Sequence, residues 1–78
     1  MTKPEIEAAI LTILESSLRV PVDLEASRVN IPQWDSLKHV EVMFAIEDAL
    51  GVEFSESELA ELSNVSSIVT AILVRHAA

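Results

Sequence analysis

A serine stands between an aspartate and a leucine near the middle of the 78-residue chain, at Asp35-Ser36-Leu37, with a histidine three positions on at His39. Serine, histidine and aspartate are the parts of a nucleophilic triad, so acyl transfer is the first chemistry to weigh. It fails on surroundings. Side chains three apart at a helix start can touch, but so small a domain offers no substrate cleft and no set of oxyanion donors. His39 is then expected to be a solvated side chain. The other histidine, His76, falls on a different helix near the C-terminus. No catalytic residue is assigned, and no enzyme is expected. A metal centre is also not expected. There is no cysteine, and the acidic residues are spread over several faces rather than spaced as in a calcium loop. A single glycine excludes a glycine-rich phosphate loop.

Two roles remain for Ser36. One is a helix cap, worth about 0.5–2 kcal/mol. The other opens if Asp35 does the capping. Ser36 is then the first helical residue, with its hydroxyl exposed and open to modification. A phosphate ester there would meet free backbone N–H groups and the positive end of the helix dipole, both of which favour an anion.

The elements that must position this serine follow from hydrophobic spacing. Thr2 and Glu5 have capping-box spacing and Pro4 suits a first helical turn. Ile6, Ala9, Ile10, Ile13 and Leu14 then recur at three and four to make one buried stripe, which fades near Leu18. Residues 19–35 form a long connection broken by Pro21 and Pro32. Its apolar members Val20, Val22, Leu24, Val29 and Ile31 are expected to tuck against the bundle, with a short helical turn within it. The second helix begins at Asp35 or Ser36, places Val40, Met43, Ile46 and Leu50 in the core, and stops at Gly51. Val52-Glu53-Phe54 is short and extended. Ser55 and Glu58 repeat the capping-box spacing, which gives a brief third helix over about 56–62, anchored by Leu59 and Leu62. Asn64 caps a last helix whose core stripe is Val65, Ile68, Val69, Ile72 and Leu73. Arg75 and His76 sit near its end, where the dipole favours positive charge. Nothing alternates long enough to predict a sheet. The fold class is all-α: a small antiparallel four-helix bundle of three main helices and a short third one, with a long first loop.

Thirteen acidic residues against five basic ones give a formal charge of −8. Nucleic acid binding, which needs Lys and Arg on phosphates, is disfavoured, and so is an anionic membrane surface. Partners bearing basic patches would be attracted. No apolar run approaches the roughly 18 residues of a membrane span. The opening Met1-Thr2-Lys3-Pro4-Glu5 turns acidic at once with no apolar stretch, so no signal peptide is expected and a cytoplasmic location is.

Asp35-Ser36-Leu37 at the head of the second helix resembles the signature of the acyl carrier protein family. The resemblance extends to the length, the acidity, the long first loop, the helix ending before Gly51, the short third helix and the apolar last one. It implies one carrier domain over residues 1–78, with Ser36 receiving 4′-phosphopantetheine from coenzyme A. The arm's thiol would hold acyl groups as thioesters. By that resemblance Asp35 is the acidic neighbour read by a phosphopantetheinyl transferase. Glu41, Glu47 and Asp48 are acidic docking positions for the basic patches of ligases, synthases or acyltransferases, and Leu37 and Phe44 are apolar contacts. Leu37, Glu41 and Phe44 also form an i, i+4, i+7 row, although Phe44 lies beside the core face and could equally be core. Glu56, with Glu58 and Glu61, extends the acidic surface or is simply solvated. Val29, Val40, Ile46, Leu59, Leu62 and Ile68 would line a cavity for the acyl chain, or serve as ordinary core. A monomer is expected.

Two departures mark the chain. Gln33-Trp34 stands where small residues are common before the motif, and Lys38-His39 follows Leu37 where an acidic residue is frequent. Lys38 in a first helical turn opposes the dipole, and the His39 ring could approach the arm's phosphodiester. The departures suggest a specialised carrier. An aminoacyl or peptidyl carrier remains an alternative, as does an interaction bundle without the arm.

Overall fold

The computed structural model describes residues 2–77, of which the side chains at 76 and 77 lie outside the description. Helix α1 spans Lys3–Leu18, α2 Ser36–Leu50, α3 Glu56–Glu61 and α4 Val65–Ala77. These four helices make an all-α bundle in which α1 packs against both α2 and α4.

Each start is set by a cap written in the sequence. The Thr2 hydroxyl accepts from the Glu5 N–H while the Glu5 carboxylate accepts from the Thr2 N–H, a complete capping box. Ser55 and Glu58 repeat the arrangement at α3. At α4 the Asn64 side-chain oxygen accepts from Ser67 N at 2.7 Å. α2 ends at Gly51, which takes the left-handed conformation at φ 65° and donates its N–H to the Glu47 carbonyl. α1 ends less comfortably, because Arg19 adopts φ 59° without being glycine.

The core runs as one cluster through Ile6, Ile10, Leu14 and Leu18 of α1, Val42, Met43 and Ile46 of α2, and Val65, Ile68, Val69 and Ile72 of α4. Ala26, Trp34, Val52 and Phe54 join it from the connections. The α1 stripe therefore continues to Leu18 instead of fading there, while Ala9 and Ile13 sit at its half-buried edges. On α2 the inward face is His39, Val42, Met43 and Ile46, an i, i+3, i+4, i+7 set. Val40 is not part of it and is 49% exposed. The face expected from spacing is rotated from the observed one because a solvated His39 has no place in an inward stripe. Once the imidazole points inward, Val40 turns out by about 100°.

The long connection is held by backbone pairing rather than by a helix. Ile31 N donates to the Ser27 carbonyl at 3.0 Å, closing a single α-turn. Ser27 and Asn64 form an isolated antiparallel bridge, flanked by Arg28 N donating to Ser63 O at 2.9 Å and Val65 N donating to Ala26 O at 3.0 Å. The first loop is thus stitched to the α3–α4 connection. Val20, Val22 and Ile31 tuck in as expected. Leu24 is largely exposed, and Val29 is 95% exposed at the tip of the turn.

α3 carries no fully buried residue, and Leu59 with its C-cap Leu62 packs partly buried on the core. It is held instead by Arg75 of α4. That guanidinium donates to the Glu58 carboxylate, to Glu53 O at 3.0 Å and to Ala71 O at 2.9 Å, and lies 5.1 Å from the centre of the Phe54 ring.

Candidate functional site

Asp35 is the N-cap of α2. Its carboxylate accepts from Lys38 N at 2.9 Å, and its carbonyl takes the His39 N–H at 2.8 Å. Ser36 is therefore the first helical residue, exposed and relieved of capping. The backbone N–H groups of Ser36 and Leu37, at the first two helical positions, have no acceptor within the helix. Lys38, whose charge opposes the dipole here, is offset by an ion pair with Glu41 at 3.2 Å.

Two residues not assigned from sequence build the floor and one wall of this site. Trp34 is buried, and its indole N–H donates to His39 Nδ1 at 3.0 Å, with the two rings 5.9 Å apart. Indole nitrogen can only donate, so Nδ1 is the unprotonated ring nitrogen. Nε2 then carries the hydrogen and donates it to the Leu59 carbonyl at 2.7 Å. One relay, Trp34 to His39 to Leu59, fastens the start of α2 to α3. Burial is the main cause that pushes the His39 pKa below its ordinary value. The Leu59 carbonyl opposes that shift, and the nearby Arg28 charge adds to it.

Arg28 forms the wall. Its Nη2 donates to Ser36 Oγ at 3.1 Å, and its Nε leans on the Trp34 carbonyl at 3.4 Å. The signal that could have found it is its isolation, since no other Lys or Arg lies between Arg19 and Lys38. Trp34 could have been assigned to the core as the only tryptophan of a chain with three aromatic residues.

The remaining candidates divide by exposure. Leu37, at 71%, and Phe44, at 55%, are the most exposed large apolar residues of α2, and with Val40 and Glu41 they form one outward row. Asp48 and Glu56 are exposed. Glu47 is half-buried, and its carboxylate accepts from Phe54 N at 2.8 Å, so it fixes the 52–54 stretch rather than standing free. Both ring nitrogens of His39 are engaged inside the bundle, by the Trp34 indole and the Leu59 carbonyl, so neither is free for a phosphodiester. Of the six residues expected to line an acyl cavity, Ile46 and Ile68 are fully buried, and Leu59 and Leu62 border the core. Val29 and Val40 point to solvent and line no interior space. Among the described residues no group of three or more His, Asp or Glu is placed to hold a metal ion. No described helix is long and apolar enough to cross a membrane.

A family model described as a phosphopantetheine attachment site matches residues 33–72, just over half of the chain. None of the curated proteins matches the chain. The local chemistry fits such a group. The exposed Ser36 hydroxyl is not consumed in capping, and the free N–H groups of a helix start favour the anion it would bear. The match runs from the turn before Ser36 through α2 and α3 into α4, so the chain belongs to the phosphopantetheine attachment family, the carrier domains to which 4′-phosphopantetheine is joined covalently.

Proposed function

We propose that the chain is an acyl carrier protein that holds its cargo on a 4′-phosphopantetheine arm ester-linked to Ser36. When bound, that group supplies a terminal thiol on which acyl units ride as thioesters. The observation that carries the reading is the division of labour at the head of α2. Asp35 caps the helix, which leaves the Ser36 hydroxyl exposed and available. The chain's own part is to fix this hydroxyl on a rigid helix start and to surround it with a surface that partners can read.

That surface is the outward row of Leu37, Val40, Glu41 and Phe44, followed by Asp48 and by Glu56 on α3. Apolar anchors beside exposed carboxylates suit a partner with a basic rim around an apolar patch. A phosphopantetheinyl transferase and acyl-loading ligases, synthases or acyltransferases are the partners of this reading. On this reading an acyl chain would lie between the helices against Ile46, Leu59, Leu62 and Ile68, which belong to the core or border it. The protein itself catalyses nothing, acts in the cytoplasm as a monomer, and serves a specialised biosynthesis rather than bulk lipid supply. The formal charge of −8 favours acyl over aminoacyl cargo.

The test is incubation with coenzyme A and a promiscuous phosphopantetheinyl transferase, followed by intact mass. The expected result is a gain of one phosphopantetheine that is abolished in Ser36→Ala. No gain, or a gain that survives Ser36→Ala, overturns the reading. Offering the loaded chain to acyl and aminoacyl ligases then decides the cargo class.

A further inference from the structure

We propose that Arg28 is the positioning residue for the arm, its guanidinium holding the phosphodiester formed on Ser36 and so fixing the direction in which the arm leaves the protein. The inference rests on Ser36 being the attachment site. Three observations carry it.

The guanidinium already touches the reacting oxygen, with Nη2 donating to Ser36 Oγ at 3.1 Å and Nε leaning on the Trp34 carbonyl two residues before it. Transfer from coenzyme A forms the bond from Ser36 Oγ to phosphorus, breaks the pyrophosphate link and releases adenosine 3′,5′-bisphosphate. The Oγ proton is lost, that oxygen becomes a bridging one and a poorer acceptor, and an anionic phosphate now stands one bond further out. A hydrogen bond from the charged guanidinium to a neutral hydroxyl thereby becomes one between a cation and an anion, with both partners charged. The planar fork of arginine can reach two phosphate oxygens together, which a lysine cannot do.

Arg28 also has no ion-pair partner among the described residues, whereas Lys38 is paired with Glu41 and Arg75 with Glu58. In an acidic chain a lone guanidinium beside the serine has no ion-pair role in the unmodified protein.

Finally, its backbone is held. Arg28 N donates to Ser63 O at 2.9 Å, next to the Ser27–Asn64 bridge. The side chain therefore springs from a segment pinned to the α3–α4 connection, and a group that is pre-set loses little freedom on engaging its anion.

The experiment compares wild type, Arg28→Gln and Arg28→Lys, each before and after loading with coenzyme A and a transferase. It reads the 15N resonance of the Arg28 Nε–H group and the 31P resonance of the phosphodiester. On loading of the wild type, the Arg28 Nε–H signal is expected to shift while amide signals far from Ser36 stay in place. The 31P line of loaded Arg28→Gln is expected to move from the wild-type position and to narrow as the phosphate gains freedom. In Arg28→Lys it lies between the two. If wild type takes up no arm, the carrier reading falls and this proposal with it. If wild type loads but its Arg28 Nε–H signal is the same before and after, this proposal alone is overturned. Coincident 31P lines in wild type and Arg28→Gln overturn it equally. Should Arg28→Gln fail to fold, the wild-type comparison still decides.

Discussion

His39 shows how one buried side chain ties pH to folding. Its ring is neutral by construction. Nδ1 accepts from Trp34, so a second proton would set two N–H groups against each other and break the relay to Leu59. Burial lowers the folded pKa further, and the Arg28 charge adds to that. An unfolded imidazole protonates near its ordinary value of about 6.5. The unfolded state therefore binds the proton first. Stability from this residue is complete above that pH and declines as pH falls through it, until the folded ring protonates as well. Urea titrations at pH 7.5 and 5.5, followed by the emission of the sole tryptophan, will show wild type losing stability on acidification. His39→Gln can keep a donor and an acceptor but cannot titrate, and it will show a smaller loss. Equal losses would mean that the relay is not what titrates.

Glu58 obeys the opposite logic for a different reason. Its carboxyl is held below the usual range first by the Ser55 backbone N–H and next by Arg75. Arg75→Ala is therefore expected to raise the Glu58 pKa without restoring it to that of a free glutamate, because the capping box remains. An NMR titration of the Glu58 side chain reads this directly. A full return to the free value would assign the shift to Arg75 alone.

At the scale of elements, the helix ends carry most of what the sequence specifies. Replacing Asp35 by alanine removes the acceptor of Lys38 N and is expected to cost about 1 kcal/mol, with faster hydrogen exchange in the first turn of α2. Chemical denaturation with exchange measured by NMR checks both. Gly51→Ala is a purely conformational test. A Cβ at this position meets no atom within 4 Å, so the expected loss of about 1–2 kcal/mol comes only from the left-handed backbone. Gly51→Asn, better tolerated in that region, should cost less.

These ends were legible because capping chemistry is local: Thr2 with Glu5, Asp35 alone, Ser55 with Glu58, and Asn64 each declare themselves within one turn. The burial of His39 was not legible, because it depends on an indole five residues before it and a carbonyl twenty residues after it. The α2 core face differs from its spacing pattern for the same reason. His39 joins the inward stripe only because a distant partner satisfies its ring, and Val40 turns outward as a result. The place of Arg28 beside Ser36 is not legible either, because it depends on a loop whose path is fixed by pairing with Ser63 and Asn64. Long connections carry no periodicity from which such a path can be read.

For the molecule as a whole, the proposed docking has two separable parts. On that proposal a formal charge of −8 acts over distance on the rate of encounter, and the outward row of α2 acts on contact. Raising the salt from about 0.01 M to about 1 M shrinks the screening length from about 30 Å to about 3 Å. Loading of Ser36 by a transferase with a basic face is then expected to lose kcat/KM steeply with salt. Neutralising an exposed carboxylate should flatten that dependence, and Asp48→Asn is the suitable variant. Asp48 is exposed, while Glu47 accepts the Phe54 N–H and its loss would disturb the fold instead. Leu37→Ala should behave differently. Its side chain is 71% exposed, so thermal stability should hold while kcat/KM falls by a similar factor at every salt concentration. Measuring loading rates for wild type, Asp48→Asn and Leu37→Ala across the salt series, with melting curves alongside, separates steering from contact. If Leu37→Ala alters the slope with salt rather than the level, the outward row does not act as a contact surface.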